Sequence, residues 1–100
     1  MAVYLIARVT IKDRARYQQY EQGFMDIFNE YKGALLAVDE APTTLEGEWA
    51  VTRTVLVQFP SKAEGLAWYE SEAYQALAAH RWAAADTDLV ILNSLAPPSD

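Results

Sequence analysis

Three arginines and two aromatic rings are the groups in this chain best suited to hold or transform a small molecule. Arg8 interrupts the apolar run "VYLIARVTI", and Arg53 lies near the start of "VTRTVLVQF". Arg81 closes "FPSKAEGLAWYESEAYQALAAHR", which also carries Trp68, Tyr74 and the only histidine, His80. A guanidinium taken out of water needs an anionic or carbonyl partner. One source is structural: Glu46, Asp88 or a second subunit. The other is functional: a small carboxylate or enolate lying beside the Trp68 and Tyr74 rings. In the functional case an arginine stabilises the anion, while Tyr74, or Glu46 turned inward, handles the proton.

Other chemistries lack their parts. The chain has no cysteine, which removes disulfides, thiolate nucleophiles and zinc–thiolate sites. A single histidine argues against a specific transition-metal site, no glycine-rich phosphate loop occurs, and no Ser-His-Asp set has a spacing to support it. Glu46 with Glu48, and Glu70 with Glu72, are two-residue spacings that need not converge, and they read as solvated charge. The net charge of −6 disfavours nucleic acid, whose backbone is bound by cations that displace counterions, and equally an anionic membrane surface. The N-terminal "MAVYLIARVTIK" does not read as a secretory signal, because Arg8 breaks its apolar run, and no run has the length to cross a bilayer. A cytoplasmic protein without cofactor or metal is expected.

These groups must be positioned by a few elements. Residues 2–11 alternate, with Val3, Leu5, Ala7, Val9 and Ile11 on one face and Tyr4, Ile6, Arg8 and Thr10 on the other, which specifies a strand. Asp13 is placed to cap a helix over 14–32, in which Tyr17, Tyr20, Phe24, Ile27, Phe28 and Tyr31 recur at three- and four-residue steps. Gly33 is the expected helix stop, at a position tolerant of positive φ. Strands over 34–38 and 51–59 flank "DEAPTTLEGEW", a long hairpin with an irregular tip. Pro60 ends the third strand, and Ser61 with Glu64 forms a capping box. The helix that follows breaks near Ser71, which caps a second segment running to about Ala85. A fourth strand covers 88–93.

The order β-α-β-β-α-β with right-handed crossovers gives an α+β, ferredoxin-like fold: a four-stranded antiparallel sheet with both helices on one face. One domain over 1–95, followed by a flexible tail at 96–100, accommodates the chain. Two helices leave the other sheet face bare. It carries Tyr4, Ile6, Arg8 and Thr10, then Thr54, Leu56 and Gln58, and either Val90 and Leu92 or Leu89 and Ile91. A half-apolar face in water calls for a second copy packed sheet on sheet as a twofold dimer. The hydrophobic fraction of 52% points the same way. On this assignment Arg8 and Gln58 project into the space between the two sheets, while Arg81 shares a core-facing helix stripe with Tyr74 and Leu77.

The strings "VYLIARVTIKDRARYQQY", "LEGEW" and "FPSKAEGLAWYESEAYQAL", followed by Arg81 and "DLVIL", resemble the family known as domain of unknown function 1330 over nearly the whole chain. The resemblance implies membership of the dimeric α/β-barrel superfamily: a ferredoxin-like protomer and a homodimer whose two sheets close a barrel. This chain has "LNSL" where the family usually ends its last strand in Glu-Gly. The superfamily includes cofactor-free monooxygenases that carry an Asn, a Trp and a Tyr along the second helical region. Trp68 and Tyr74 resemble the latter two, whereas the Asn position holds Glu64, which lacks the amide donor. Haem-degrading relatives place a ligating His where this chain has Ala78; His80 lies roughly 200° further around the helix. The combined expectation is a homodimer with a pocket for a small organic acid or aromatic metabolite. The alternatives are a cofactor-independent monooxygenase or isomerase, and a non-catalytic stress-related or regulatory interaction module. The candidate ligand-binding residues are Arg8, Glu46, Arg53, Gln58, Trp68, Tyr74 and Arg81.

Overall fold

The computed structural model describes residues 2–49 and 52–95. The expected tail at 96–100 and the first residue of the expected third strand lie outside the described residues. The elements follow as β1 (Val3–Ile11), α1 (Arg14–Phe28), β2 (Ala34–Asp39), β3 (Arg53–Phe59), α2 (Lys62–Tyr69), α3 (Glu72–Ala84) and β4 (Ala85–Asn93). The strands form one sheet in the order β2-β3-β1-β4, and every neighbouring pair is antiparallel. This is the ferredoxin-like arrangement, with the second helical region divided in two.

β1 is the central strand, and its alternation sets the layers. Val3, Leu5, Ala7 and Val9 are buried beneath the helices, while Tyr4, Ile6, Arg8 and Thr10 are half-buried on the opposite face. Burying a valine or leucine side chain stabilises by about 1.5–3 kcal/mol, so this stripe alone fixes the register. Shifting it by one residue would exchange the two faces. The register pairs Ile6 with Leu56 on one side and Val90 on the other. β4 therefore presents Val90 and Leu92 to the open face, where both stay exposed, and Leu89 and Ile91 to the core. β2, at the edge, is exposed along its length and irregular between Leu35 and Ala37, as suits an edge strand.

The three caps are made by the residues the sequence nominates. The side chains of Asp13, Ser61 and Ser71 accept hydrogen bonds from the backbone N–H of Arg16, Glu64 and Tyr74. The Ser61 box is one-sided, for the Glu64 carboxylate faces Lys32 at 4.0 Å. Three boundaries differ from expectation by two residues or more. α1 ends at Phe28, four residues early, in turns over 29–32. β4 begins at Ala85, because Ile11 of β1 already pairs with it there. β3 begins at Arg53, because Thr52 bends to bond Val9 and Ile11. Gly33 does not take a positive φ; among the described residues only Gly47 does, at 76°. Gly33 is needed for closeness instead: an added Cβ would stand 2.5 Å from Phe28 Cζ and 2.7 Å from Phe59 Cε1.

Candidate functional site

The helix-facing side of the sheet and the three helices enclose a cavity of about 250 Å³. β1 floors it with Leu5, Ala7 and Val9, flanked by Val55 and Val57 of β3 and Leu89 of β4. The three- and four-residue rhythm of α1 brings Tyr17, Tyr20, Glu21 and Phe24 to one wall, and Trp68, Tyr74 and Arg81 complete the other. Tyr74 and Arg81 are seven residues apart, two turns on one stripe of α3. The mouth opens where exposed Met25 of α1 approaches Leu35 and Val38 of β2.

Trp68 and Tyr74 meet because the chain breaks between them. Ser71 Oγ donates to Trp68 O at 2.8 Å and accepts from Tyr74 N at 3.2 Å, ending α2 and starting α3 within one side chain. The two ring centroids are 4.2 Å apart. Phe28 stands edge-on to Trp68 at 5.6 Å, and Phe59 lies at 5.6 Å from it. Aromatic pairs of this kind add about 0.5–1.5 kcal/mol each beyond the area they bury, so the Trp68 wall is rigid.

Polar groups in the cavity fall into two sets. In one, Tyr20 and Tyr74 share a hydrogen bond of 2.6 Å between their hydroxyls, and Arg81 Nη2 approaches the Tyr74 oxygen at 3.5 Å. The Arg81 guanidinium stands 5.6 Å from the Tyr20 ring centroid. Burial pushes the Tyr20 phenol well above its ordinary value, and Tyr74 adds to this while Arg81 opposes it. Burial works against the Arg81 charge, but the Tyr74 and Tyr20 oxygens outweigh it and its pKa is raised; it remains a cation. In the other set, Arg53 is gripped by Glu21 at 3.2 Å and Glu40 at 2.9 Å. Glu40 also holds Arg14 at 3.0 Å. Burial raises the Tyr17 phenol, and the Arg53 charge opposes that rise.

The structure thus brings four of the seven candidate residues together: Arg53, Trp68, Tyr74 and Arg81 line the cavity. Arg8 and Gln58 lie across the sheet on its open face, opposite Thr54 and Tyr4 respectively. The Arg8 guanidinium sits over the Trp49 ring at 4.5 Å, and Trp49 Nε1 donates to Thr54 Oγ1 at 2.8 Å. Glu46 belongs to the exposed hairpin beside Trp49 and Thr54. The sequence reading put the ligand space between two sheets; the cavity lies within one chain, between sheet and helices. The expected structural partners change as well. Arg53 pairs with Glu21 and Glu40, not Glu46, and among the described residues neither Arg8 nor Arg81 forms an ion pair. His80 stands outside the cavity, its Nδ1 accepting from Arg16 Nε at 2.9 Å.

Sequence reasoning missed Tyr20, Glu21 and Glu40. Tyr20 was legible as a core-stripe residue, and the signal for more was its hydroxyl, which a buried tyrosine must satisfy. No three acidic or histidine side chains cluster as metal ligands among the described residues, and none of the described helices is long and apolar enough to cross a membrane.

Comparison with known proteins agrees with this architecture. A family model described as Domain of unknown function (DUF1330) matches residues 2–95. No curated protein matches the chain. Among solved structures, it is similar to the RPA0582 protein of unknown function from Rhodopseudomonas palustris, with 18% identity and a TM-score of 0.79 over 96% of this chain and 84% of that one. It is similar to SnoaB, a cofactor-independent oxygenase from Streptomyces nogalater, with 8% identity and a TM-score of 0.70 over 99% and 98% of the two chains. It also resembles a dimeric ferredoxin-like protein of unknown function from Jannaschia sp. CCS1, with 14% identity and a TM-score of 0.68 over 94% and 100%. At these identities the likeness establishes the fold.

Proposed function

We propose a function for a chain that belongs to the family described as Domain of unknown function (DUF1330): a homodimeric, ferredoxin-like protein that binds a small organic acid or aromatic metabolite in the cavity between its sheet and its helices. The observation that carries this reading is Arg81, a guanidinium only 5% exposed that faces an apolar cavity without a carboxylate partner among the described residues. A structural arginine at that depth would be matched by an acid of its own chain. The homodimer is supported by the bare sheet face and by similarity to proteins described as dimeric and ferredoxin-like. A cytoplasmic location belongs to the same proposal and is supported by the cysteine-free composition, which suits a reducing compartment.

A thermal-shift screen against aromatic and carboxylate metabolites tests the reading. A ligand that raises the melting temperature of the wild type but not of a folded Arg81→Ala variant supports it. Silence across a broad library favours a non-catalytic interaction module. A second reading, cofactor-independent oxygenation of an activated carbon acid, is favoured by the contact of Trp68 with Tyr74 at the cavity and by the likeness to SnoaB. Glu64 does not line the cavity, so it neither supplies nor blocks a donor there. Oxygen consumption on mixing with a bound carbon acid would establish that reading, and unchanged oxygen with a ligand demonstrably bound would remove it.

A further inference from the structure

Resting on that reading of the cavity, we infer that its ligand is a monoanion of one or two rings, whose single carboxylate or enolate is received by Arg81, Tyr74 and Tyr20 while its apolar body lies over Trp68. Two independent counts lead there, one of charge and one of hydrogens.

The charge count begins with the three charged residues among those lining the cavity: Glu21, Arg53 and Arg81. Arg53 already lies within 3.2 Å of Glu21 and 2.9 Å of Glu40, and Glu40 is shared with Arg14 at 3.0 Å. These two cations and two anions cancel. Arg81 is left over, and its neighbours are a phenol oxygen at 3.5 Å and a ring face. A buried cation without a counterion is unfavourable, and one negative charge from a ligand relieves it. A second negative charge would find no unmatched cation unless Arg53 gave up an acid it already holds.

The hydrogen count concerns the phenols. Tyr20 and Tyr74 carry two hydroxyl hydrogens, and only one can lie in the 2.6 Å gap between their oxygens. Their remaining neighbour, Arg81, is itself a donor. One O–H and the guanidinium are thus both left to give hydrogen bonds, and burial keeps Tyr20 protonated. At this end of the cavity Arg81 and the phenol pair thus offer donors, which select a ligand with an acceptor group there, as a carboxylate or enolate supplies. The cavity limits the size: its 250 Å³ falls just under the range of about 300–1,000 Å³ typical of drug-sized ligands and above the roughly 150 Å³ that holds benzene, which allows one or two rings.

Calorimetric titration at neutral pH with benzoate, its neutral counterpart benzamide and the dianion phthalate tests the inference. The wild type should bind benzoate roughly tenfold or more tightly than benzamide, the difference expected of a charge-assisted hydrogen bond, and phthalate more weakly than benzoate. Arg81→Gln should bring benzoate down to the level of benzamide, Tyr20→Phe should lose part of the preference, and Arg16→Gln, at an exposed guanidinium outside the cavity, should keep it. If Arg81→Gln does not fold, the wild-type ranking and Tyr20→Phe decide the matter. Equal affinity for benzoate and benzamide, or a preference kept in a folded Arg81→Gln, overturns the monoanion site and leaves the cavity as a binding site. No binding of any probe, benzamide included, overturns the cavity reading itself and the inference with it.

Discussion

Gly33 and Gly65 carry the same side chain and should respond to alanine in opposite directions. At Gly33 the new Cβ would stand 2.5 Å from Phe28 Cζ and 2.7 Å from Phe59 Cε1, both ring atoms held in the aromatic cluster. Overpacking of this kind costs about 1–3 kcal/mol. At Gly65, inside α2, the nearest atom is Phe59 Cδ2 at 3.4 Å, an ordinary contact, and alanine there should gain about 0.5–1 kcal/mol from helix propensity. Urea midpoints of the two variants, with slopes unchanged, check both signs. The sequence marks Gly33 as a helix stop, since a glycine after a periodic run suggests one; the ring of Phe59, distant along the chain, leaves no local trace. Tyr17 and Tyr20 set a second expectation. Burial raises both phenols above the ordinary 10.0. The stability this reflects is therefore whole below pH 10 and is lost as the pH rises beyond it, where the unfolded chain ionises first. Spectrophotometric titration should show these two phenolates appearing together with unfolding, and Tyr20→Phe should flatten the alkaline limb.

Ser71 does at the level of elements what the cavity requires. A continuous helix from Lys62 to Ala84 would carry Trp68 and Tyr74 six residues apart, well around the helix from each other. The break at Ser71 turns α3 so that their rings meet at 4.2 Å. Ser71→Ala removes a cap worth about 1 kcal/mol and the bond to Trp68 O. It should lower the melting temperature and weaken the near-ultraviolet circular dichroism of the Trp68 cluster; Ser71→Asn, which can still cap, should recover most of the stability. The break was legible because a cap is a local event, a side chain reaching the N–H three residues on. The same holds for Asp13 and Ser61. The side of β4 that faces the core was not legible, because Leu89, Val90, Ile91 and Leu92 are all apolar and only pairing with β1 chooses between them. The candidate site was half legible for the same reason. Arg8 and Gln58 were correctly assigned to the open face of the sheet, but the apolar pattern cannot say on which side of that sheet space remains.

At the scale of the molecule, the open face decides the assembly. Its register rows set Val90 beside Ile6 and Leu56, and Leu92 beside Tyr4. Val90 is 51% exposed and Leu92 46%. Arg8 lies across from Asp88 in the adjoining row, so the apolar rows are bordered by charge, as at the rim of an interface. Covering the face with a second copy would bury these rows without touching the cavity, which lies on the far side of the sheet. Assembly and ligand binding are therefore separable, and a single substitution can show it. A carboxylate introduced by Val90→Asp would face the same apolar rows of a twin, so burial would leave it unpaired, whereas in the lone protomer it stays in water. Sedimentation equilibrium at micromolar concentration should give twice the 11.2 kDa chain mass for the wild type and a single chain for Val90→Asp, with far-ultraviolet circular dichroism unchanged. A wild type that sediments as one chain would remove the dimer. Ligand binding lost together with the dimer, in a protomer that still folds, would mean instead that the second copy shapes the cavity through the sheet.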